Sequence, residues 1–239
     1  MRWVIPKKLV IVSTNLTDTT NLDDDKLNTQ VSKEDSFYIV LNQGLIDTIS
    51  LLNISGTSIK VELLDAVTSE SIKSYEINLK EDAYRDIWGY FYDDFLYKID
   101  IFLNIILTYN MHIKVTVYNP SSTAKLGKIV TGVSSKNMDM LINHTPNMLD
   151  YSTVDRDATT GDITFKEGYY AKKLNLTIAV DNQDFGSVIK KLYDLRGKAV
   201  LFLGDGGEHS IVFGFIRNFD AQYSYKNKEY IGLTIEGLI

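Results

Sequence analysis

Three histidines, one acidic loop, one glycine-rich turn and one aromatic run are the places where this 239-residue chain could do chemistry. His112 sits in a strand pattern, and His144 and His209 fall in loops. A zinc site needs ligands at close spacing, such as a histidine pair one helical turn apart or a mixed Cys/His cluster. The chain has no cysteine and no such pair, so ordinary polar histidines are expected, with no metal and no other cofactor. Asp155, Asp157 and Asp162, with Gly161, look like part of a calcium loop. Calcium wants about six or more oxygens and typically a terminal bidentate carboxylate. The spacing departs from that pattern and Arg156 puts a cation inside it, so a solvated hairpin loop turning at Gly161 is expected. Asp155 and Asp162 are also a carboxylate pair that a hydrolase could use. Nothing singles them out among the many loop acids, so no catalytic residue is assigned and the chain is read as a non-enzyme.

Gly204-Asp-Gly-Gly-Glu comes after a strand pattern, as a phosphate cradle would. A phosphate loop must open a helix and carry Lys then Ser/Thr. Here the glycines lead instead into His209-Ser-Ile-Val-Phe-Gly-Phe, another strand, so this is a hairpin turn. Trp88, Tyr90 and Tyr92, with Phe91 between them, form the aromatic patch with functional appeal. Such rings can stack on a sugar face or fill a partner's pocket. Because Trp88, Tyr90 and Tyr92 fall on one face of a strand, they suit a core better than a binding surface. They are the candidate glycan or partner contacts, and Asp93 and Asp94 just after them could bond a sugar hydroxyl.

These residues must be positioned by strands. Ile59, Val61 and Leu63 alternate, then Tyr75, Ile77 and Leu79, with a turn around Thr68–Ser71. Tyr97, Ile99, Ile101 and Leu103 repeat the pattern, and Met111 to Val117 makes a further strand closed by Asn119-Pro120. Leu174, Leu176, Ile178 and Val180 alternate in a long strand that runs into Asp181 and Asn182. Phe185, Val188, Ile189, Leu192 and Leu195 then recur at helical spacing until Gly197, with Lys190 and Lys191 on the opposite, solvated face. The fold class is mainly β: a jelly-roll-like sandwich, then a β-rich domain containing one short amphipathic helix at about 183–196. The expected organisation is an N-terminal strand and extended polar arm over 1–36, the sandwich over 37–118, a connector over 119–149 and the β-rich domain over 150–239.

Composition excludes several function classes. The net charge of −6 and the scattered lysines leave no basic footprint for nucleic acid. The longest apolar-rich stretch, Ile99 to Tyr109, holds Asp100 and Asn104 and is too short to span a bilayer, so no membrane insertion is expected. Pro6, Lys7 and Lys8 interrupt the N-terminal apolar run, which therefore does not read as a signal peptide. The 15 tyrosines suit protein interfaces, where the ring packs while the hydroxyl stays wet.

A family resemblance rests on short motifs spread over roughly residues 38–239. They are Leu126-Gly-Lys-Ile-Val-Thr-Gly, Asp150-Tyr-Ser, Arg156-Asp157 with Gly161, and Thr164-Phe165. They continue with the strand Leu174–Val180, Leu195-Arg-Gly-Lys, Phe213-Gly214, Asn218-Phe219 and Leu233-Thr-Ile-Glu-Gly-Leu. In these the chain resembles structural proteins at the tail tip or baseplate of tailed bacteriophages; residues 1–37 depart from the pattern. The resemblance implies a galactose-binding-type sandwich followed by a β-rich assembly domain. It implies a multi-copy ring or adaptor subunit of the virion tail, assembled in the host cytoplasm, whose partners are itself and other tail proteins. It brings no catalytic residues. The rival expectation is a carbohydrate-binding module for host-surface glycans, with Trp88, Tyr90 and Tyr92 as the stacking residues.

Overall fold

The computed structural model describes residues 1–81, 96–108, 111–135, 138–141, 145–156, 158–204, 210–222 and 228–239. They form two compact units, Val4–Ser134 and Met1–Trp3 with Ser135–Ile239. In chain order the strands are β1 (Arg2–Val4), β2 (Ile11–Thr14), β3 (Val31–Leu41), β4 (Ile46–Ser55), β5 (Ser58–Asp65), β6 (Ser71–Asn78), β7 (Ile101–Thr108) and β8 (Met111–Gly132). After these come β9 (Asp139–Met140), β10 (Thr145–Asp150), β11 (Thr153–Arg156), β12 (Ile163–Lys166) and β13 (Tyr170–Asp181). The helix α1 (Asn182–Asp194), β14 (Val200–Leu203), β15 (Ile211–Gln222) and β16 (Lys228–Gly237) complete the chain. The protein is mainly β, with a jelly-roll-like sandwich first and, among the described residues, one α-helix, in the second unit, as the alternation patterns predict.

In the sandwich unit, the first half of β8 pairs with β3 and β5, and its second half with β3 and β4. One long strand thereby serves both layers, the usual way a sandwich turns a corner. The turn in β8 is a bulge: Asp35 pairs Asn119 while its neighbour Glu34 pairs Thr123, so residues 120–122 are extra on β8. Pro120 is tolerated there because a bulge releases the ladder's demand for its missing N–H. The punctuation at Asn119-Pro120 is thus internal to a strand. Ala124, Leu126, Ile129 and Val130 beyond it are buried, the first three in the same core as Phe37, Ile39, Ile59 and Val115. Residues up to Ser134 of the segment 119–149 belong to this unit, and those after it to the next.

The polar stretch near the N-terminus is fastened to its own unit. Leu22 is wholly buried. The Asn53 amide donates to the Leu27 carbonyl at 2.6 Å, and the Gln30 amide donates to the Asn53 carbonyl at 3.0 Å. Lys128, only 3% exposed, donates its ammonium to the Asp24 carbonyl. Burial holds that ammonium below the ordinary lysine range, against the pull of Asp25, Asp23 and Asp24.

The second unit is built on a seven-stranded sheet in the order β1-β14-β15-β16-β13-β10, with β9 also paired to β13. Leu174, Leu176, Ile178 and Val180 of β13 point into the core beside Val200, Phe202, Ile231, Leu233 and Ile235. Helix α1 closes this core with Phe185, Val188 and Leu192, joined by Leu195 just beyond its end. Each such side chain contributes about 1.5–3 kcal/mol through burial, which outweighs the modest intrinsic helicity of a 13-residue segment. Among the described residues no helix is long and apolar enough to cross a membrane.

Candidate functional site

The short strands β11 and β12 form a two-stranded sheet of their own, hydrogen-bonded to neither large sheet. Their register places Val154 opposite Phe165 and Arg156 opposite Ile163, while Thr153 faces Lys166 and Asp155 faces Thr164. Cross-strand partners share a face and alternate residues switch faces. The hairpin is therefore amphipathic. One face carries Val154, Ile163, Phe165 and the Arg156 stem; the other carries threonines and the Asp155–Lys166 ion pair at 3.1 Å. A buried strand would hide the first face, yet Val154 is 60%, Ile163 46% and Phe165 75% exposed.

The base of this hairpin is fixed by its sequence. The Ser152 N–H donates to the Asp150 carboxylate at 2.8 Å, and the Gly168 N–H donates to the Ser152 hydroxyl oxygen at 2.9 Å. The Tyr151 N–H bonds the Tyr169 carbonyl at 3.0 Å. Hydrogen bonds from the Ser152 hydroxyl and N–H hold the Asp150 carboxyl below the usual carboxylate range. Gly168 is required by close approach: a Cβ there would lie 2.4 Å from the Tyr151 carbonyl oxygen. At the far end Gly161 takes φ +79°, a left-handed turn position suited to glycine. Met148 on the edge strand β10, with Tyr151, Tyr169 and Tyr170 around the base, extends the exposed apolar surface.

At the other end of β13, where the chain enters α1, the same unit has a cleft of ≈ 290 Å³. Trp3, Ala179 and Val188 give it apolar walls, and Asp139, Asp181 and Asp184 line it with acid. Lys191 also lines it, and Lys228 bridges to Asp139 at 3.0 Å, which keeps the Lys228 ammonium above its ordinary value. The volume is at the low end for a small-molecule pocket, which is about 300 Å³ or more, and leaves room for a large side chain.

The residues singled out by sequence meet mixed fates. Trp88, Tyr90 and Tyr92 lie outside the described residues, as do Phe91, Asp93, Asp94, Asp157, His144 and His209. The two ends of the aromatic segment are drawn together: Lys80 bridges Tyr97, and the Glu81 N–H bonds the Leu96 carbonyl at 2.8 Å. Leu96 and Tyr97 beside that junction are 59% and 41% exposed. His112 sits on β8 in register with Leu64. Among the described residues no three His, Asp or Glu side chains converge as metal ligands. Asp155 is engaged by Lys166, and Asp162 accepts from the Thr160 hydroxyl at 2.8 Å. Both acids stand in solvent on the hairpin, without the apolar wall that sets up a general acid. Gly204 closes the antiparallel β14–β15 pair through its N–H to the Ser210 carbonyl at 3.0 Å, as a hairpin turn should.

Sequence reasoning missed the apolar face of β11–β12. The signal was there in Thr-Val-Asp-Arg and Ile-Thr-Phe-Lys, whose alternation becomes one-sided only once the register is known.

No family model and no curated protein matches the chain. Solved structures overlap it in part. The lectin domain of lectinolysin complexed with Lewis B antigen shares 13% identity at a TM-score of 0.36, over 54% of this chain and 94% of that one. Reduced XRCC1 bound to the DNA pol beta catalytic domain shares 11% at 0.38, over 55% and 98%. A chitosan-binding module from the chitosanase/glucanase of Paenibacillus sp. IK-5 shares 5% at 0.36, over 55% and 99%. Those binding properties belong to those proteins, and the function of this chain is read from its own residues.

Proposed function

We propose that this protein is a non-catalytic structural subunit that works in several copies, joined through its β-rich second unit. The observation that carries this is the amphipathic β11–β12 hairpin, whose apolar face is solvated although its sequence is patterned for burial. A two-stranded hairpin is marginal by itself in water, and an exposed contiguous apolar patch marks an interaction surface. The setting that suits such a subunit, together with the motif resemblance, is the tail tip or baseplate of a tailed bacteriophage. There it would sit in a ring or adaptor, dock other tail proteins and reside in the virion. Native mass spectrometry of the purified chain, with peptide mapping of purified particles, tests both levels. Expected are an oligomer in solution and this chain among the particle proteins. A strict monomer absent from particles would refute the proposal.

A second reading is favoured by the junction at Lys80–Tyr97. It stands at the flanks of the segment that holds Trp88, Tyr90 and Tyr92 in sequence and exposes Tyr97, and aromatic rings of this kind can stack on a sugar face. In this reading the sandwich unit recognises cell-surface glycan. A glycan array comparing the native chain with Trp88→Ala decides it: binding lost in the variant supports the site, and unchanged or absent binding removes it.

A further inference from the structure

The geometry points to a specific junction between copies: the Phe165–Arg156 face of one copy's hairpin seats in the cleft lined by Asp139, Asp181 and Asp184 on a second copy. This deepens, and presupposes, the multi-copy subunit proposed above.

The two surfaces are complementary in apolar character and charge. Phe165 is the most exposed of the three apolar residues on its face, and the cleft of ≈ 290 Å³ walled by Trp3, Ala179 and Val188 has room for a phenyl ring. Aromatic anchors in small pockets are the usual centres of protein interfaces. Arg156 lies on the same face as Phe165, two pairs further along the ladder, so a seated ring brings the guanidinium toward the acidic lining. Lys191 and Lys228 on the acceptor side offset part of that charge.

A second copy is needed because the two surfaces lie at opposite ends of β13. The hairpin joins the strand at Tyr170, and the cleft begins at Ala179–Asp181. A 12-residue strand spans roughly 35 Å at about 3.3 Å per residue. Phe165 precedes Tyr170 by only five residues, a reach of at most ~18 Å. It cannot enter its own cleft. Donor and acceptor at opposite ends make a head-to-tail contact, which closes into rings or grows into filaments. Met148, Tyr151, Tyr169 and Tyr170 around the hairpin base are exposed as well and can add contact area at its margin.

Complementation of two variants of the full chain tests the junction. Phe165→Ser removes the donor. Ser187→Trp, at an exposed α1 position lining the cleft, fills the acceptor without touching the core. Circular dichroism and thermal melting first establish that both variants fold as the native chain does. By analytical ultracentrifugation the native chain should form oligomers, and each variant alone should associate about 30-fold more weakly, as for loss of an interface anchor. An equimolar mixture should form dimers and nothing larger, since one intact hairpin meets one intact cleft. If Ser187→Trp assembles like the native chain, the hairpin docks elsewhere: the junction is overturned while the multi-copy reading stands. If the native chain stays monomeric, the junction falls, and the multi-copy reading falls with it when the chain is also absent from particles.

Discussion

Val154 and Phe165 stand directly opposite each other across the β11–β12 ladder, and both side chains point into solvent. Their separation from any core has a direct thermodynamic consequence. Phe165→Ser should change the unfolding free energy by no more than about 0.5 kcal/mol, as for surface substitutions generally. Phe202→Ala, at a fully buried position of the second unit's core, should cost about 3–5 kcal/mol. Urea denaturation of the two variants checks the contrast. A large loss from Phe165→Ser would mean that its ring is packed in the monomer.

Gly168 and Gly161 sit at opposite ends of the same hairpin and should respond differently to alanine. At Gly168 the added carbon would meet backbone, 2.4 Å from the Tyr151 oxygen and 2.7 Å from the Ser152 nitrogen. The base must shift, so amide exchange in β11 and β12 should accelerate while β13 and α1 keep their protection, and association should fail with it. At Gly161 there is open space but φ is +79°, so alanine should cost about 1 kcal/mol of left-handed strain without moving the base. Hydrogen exchange read residue by residue separates the two.

Lys128 gives a pH signature to the sandwich unit. Its folded-state ammonium is held below the ordinary lysine value by burial, so the charged form costs stability wherever both states are protonated. That cost is removed as pH rises through the lowered folded value toward the unfolded value near ~10.4. The native chain should therefore gain stability across this alkaline window relative to Lys128→Met, which carries no such group. Denaturation curves for both chains over the window test this; parallel pH profiles would sink it.

Asp150 gives the opposite sign at the hairpin base. Its folded value is lowered by the Ser152 hydroxyl and N–H. The stabilisation is present above the unfolded value of ~3.9 and is lost as pH falls through the folded one. In acid the amide signals of Ser152 and Gly168 should move together. In Asp150→Asn that transition should vanish, as an NMR titration would show.

The sequence by itself determined the strand content, the helix and the main turns, because these come from local periodicity and backbone preference. Leu174 to Val180 had to be a strand with one buried face. Phe185, Val188 and Leu192 had to form a helix stripe, observed over Asn182–Asp194, and Gly161 and Gly204 had to turn the chain. Tertiary structure decided which strands pair. Asn119-Pro120 looked like an ending and proved to be a bulge inside β8, because β3 continues alongside both halves and supplies the pairing that local sequence cannot reveal. The polar residues near Asp24 read as an extended arm or a surface loop, and Lys128 and Asn53, far along the chain, supply the partners that hold them. The cleft draws on Trp3, Asp139 and the start of α1, segments distant from one another in the chain, so no window of sequence contains it. The β11–β12 face lay between these limits. Its alternation is written in the residues, but whether that face is buried depends on what packs against it, which local sequence does not decide.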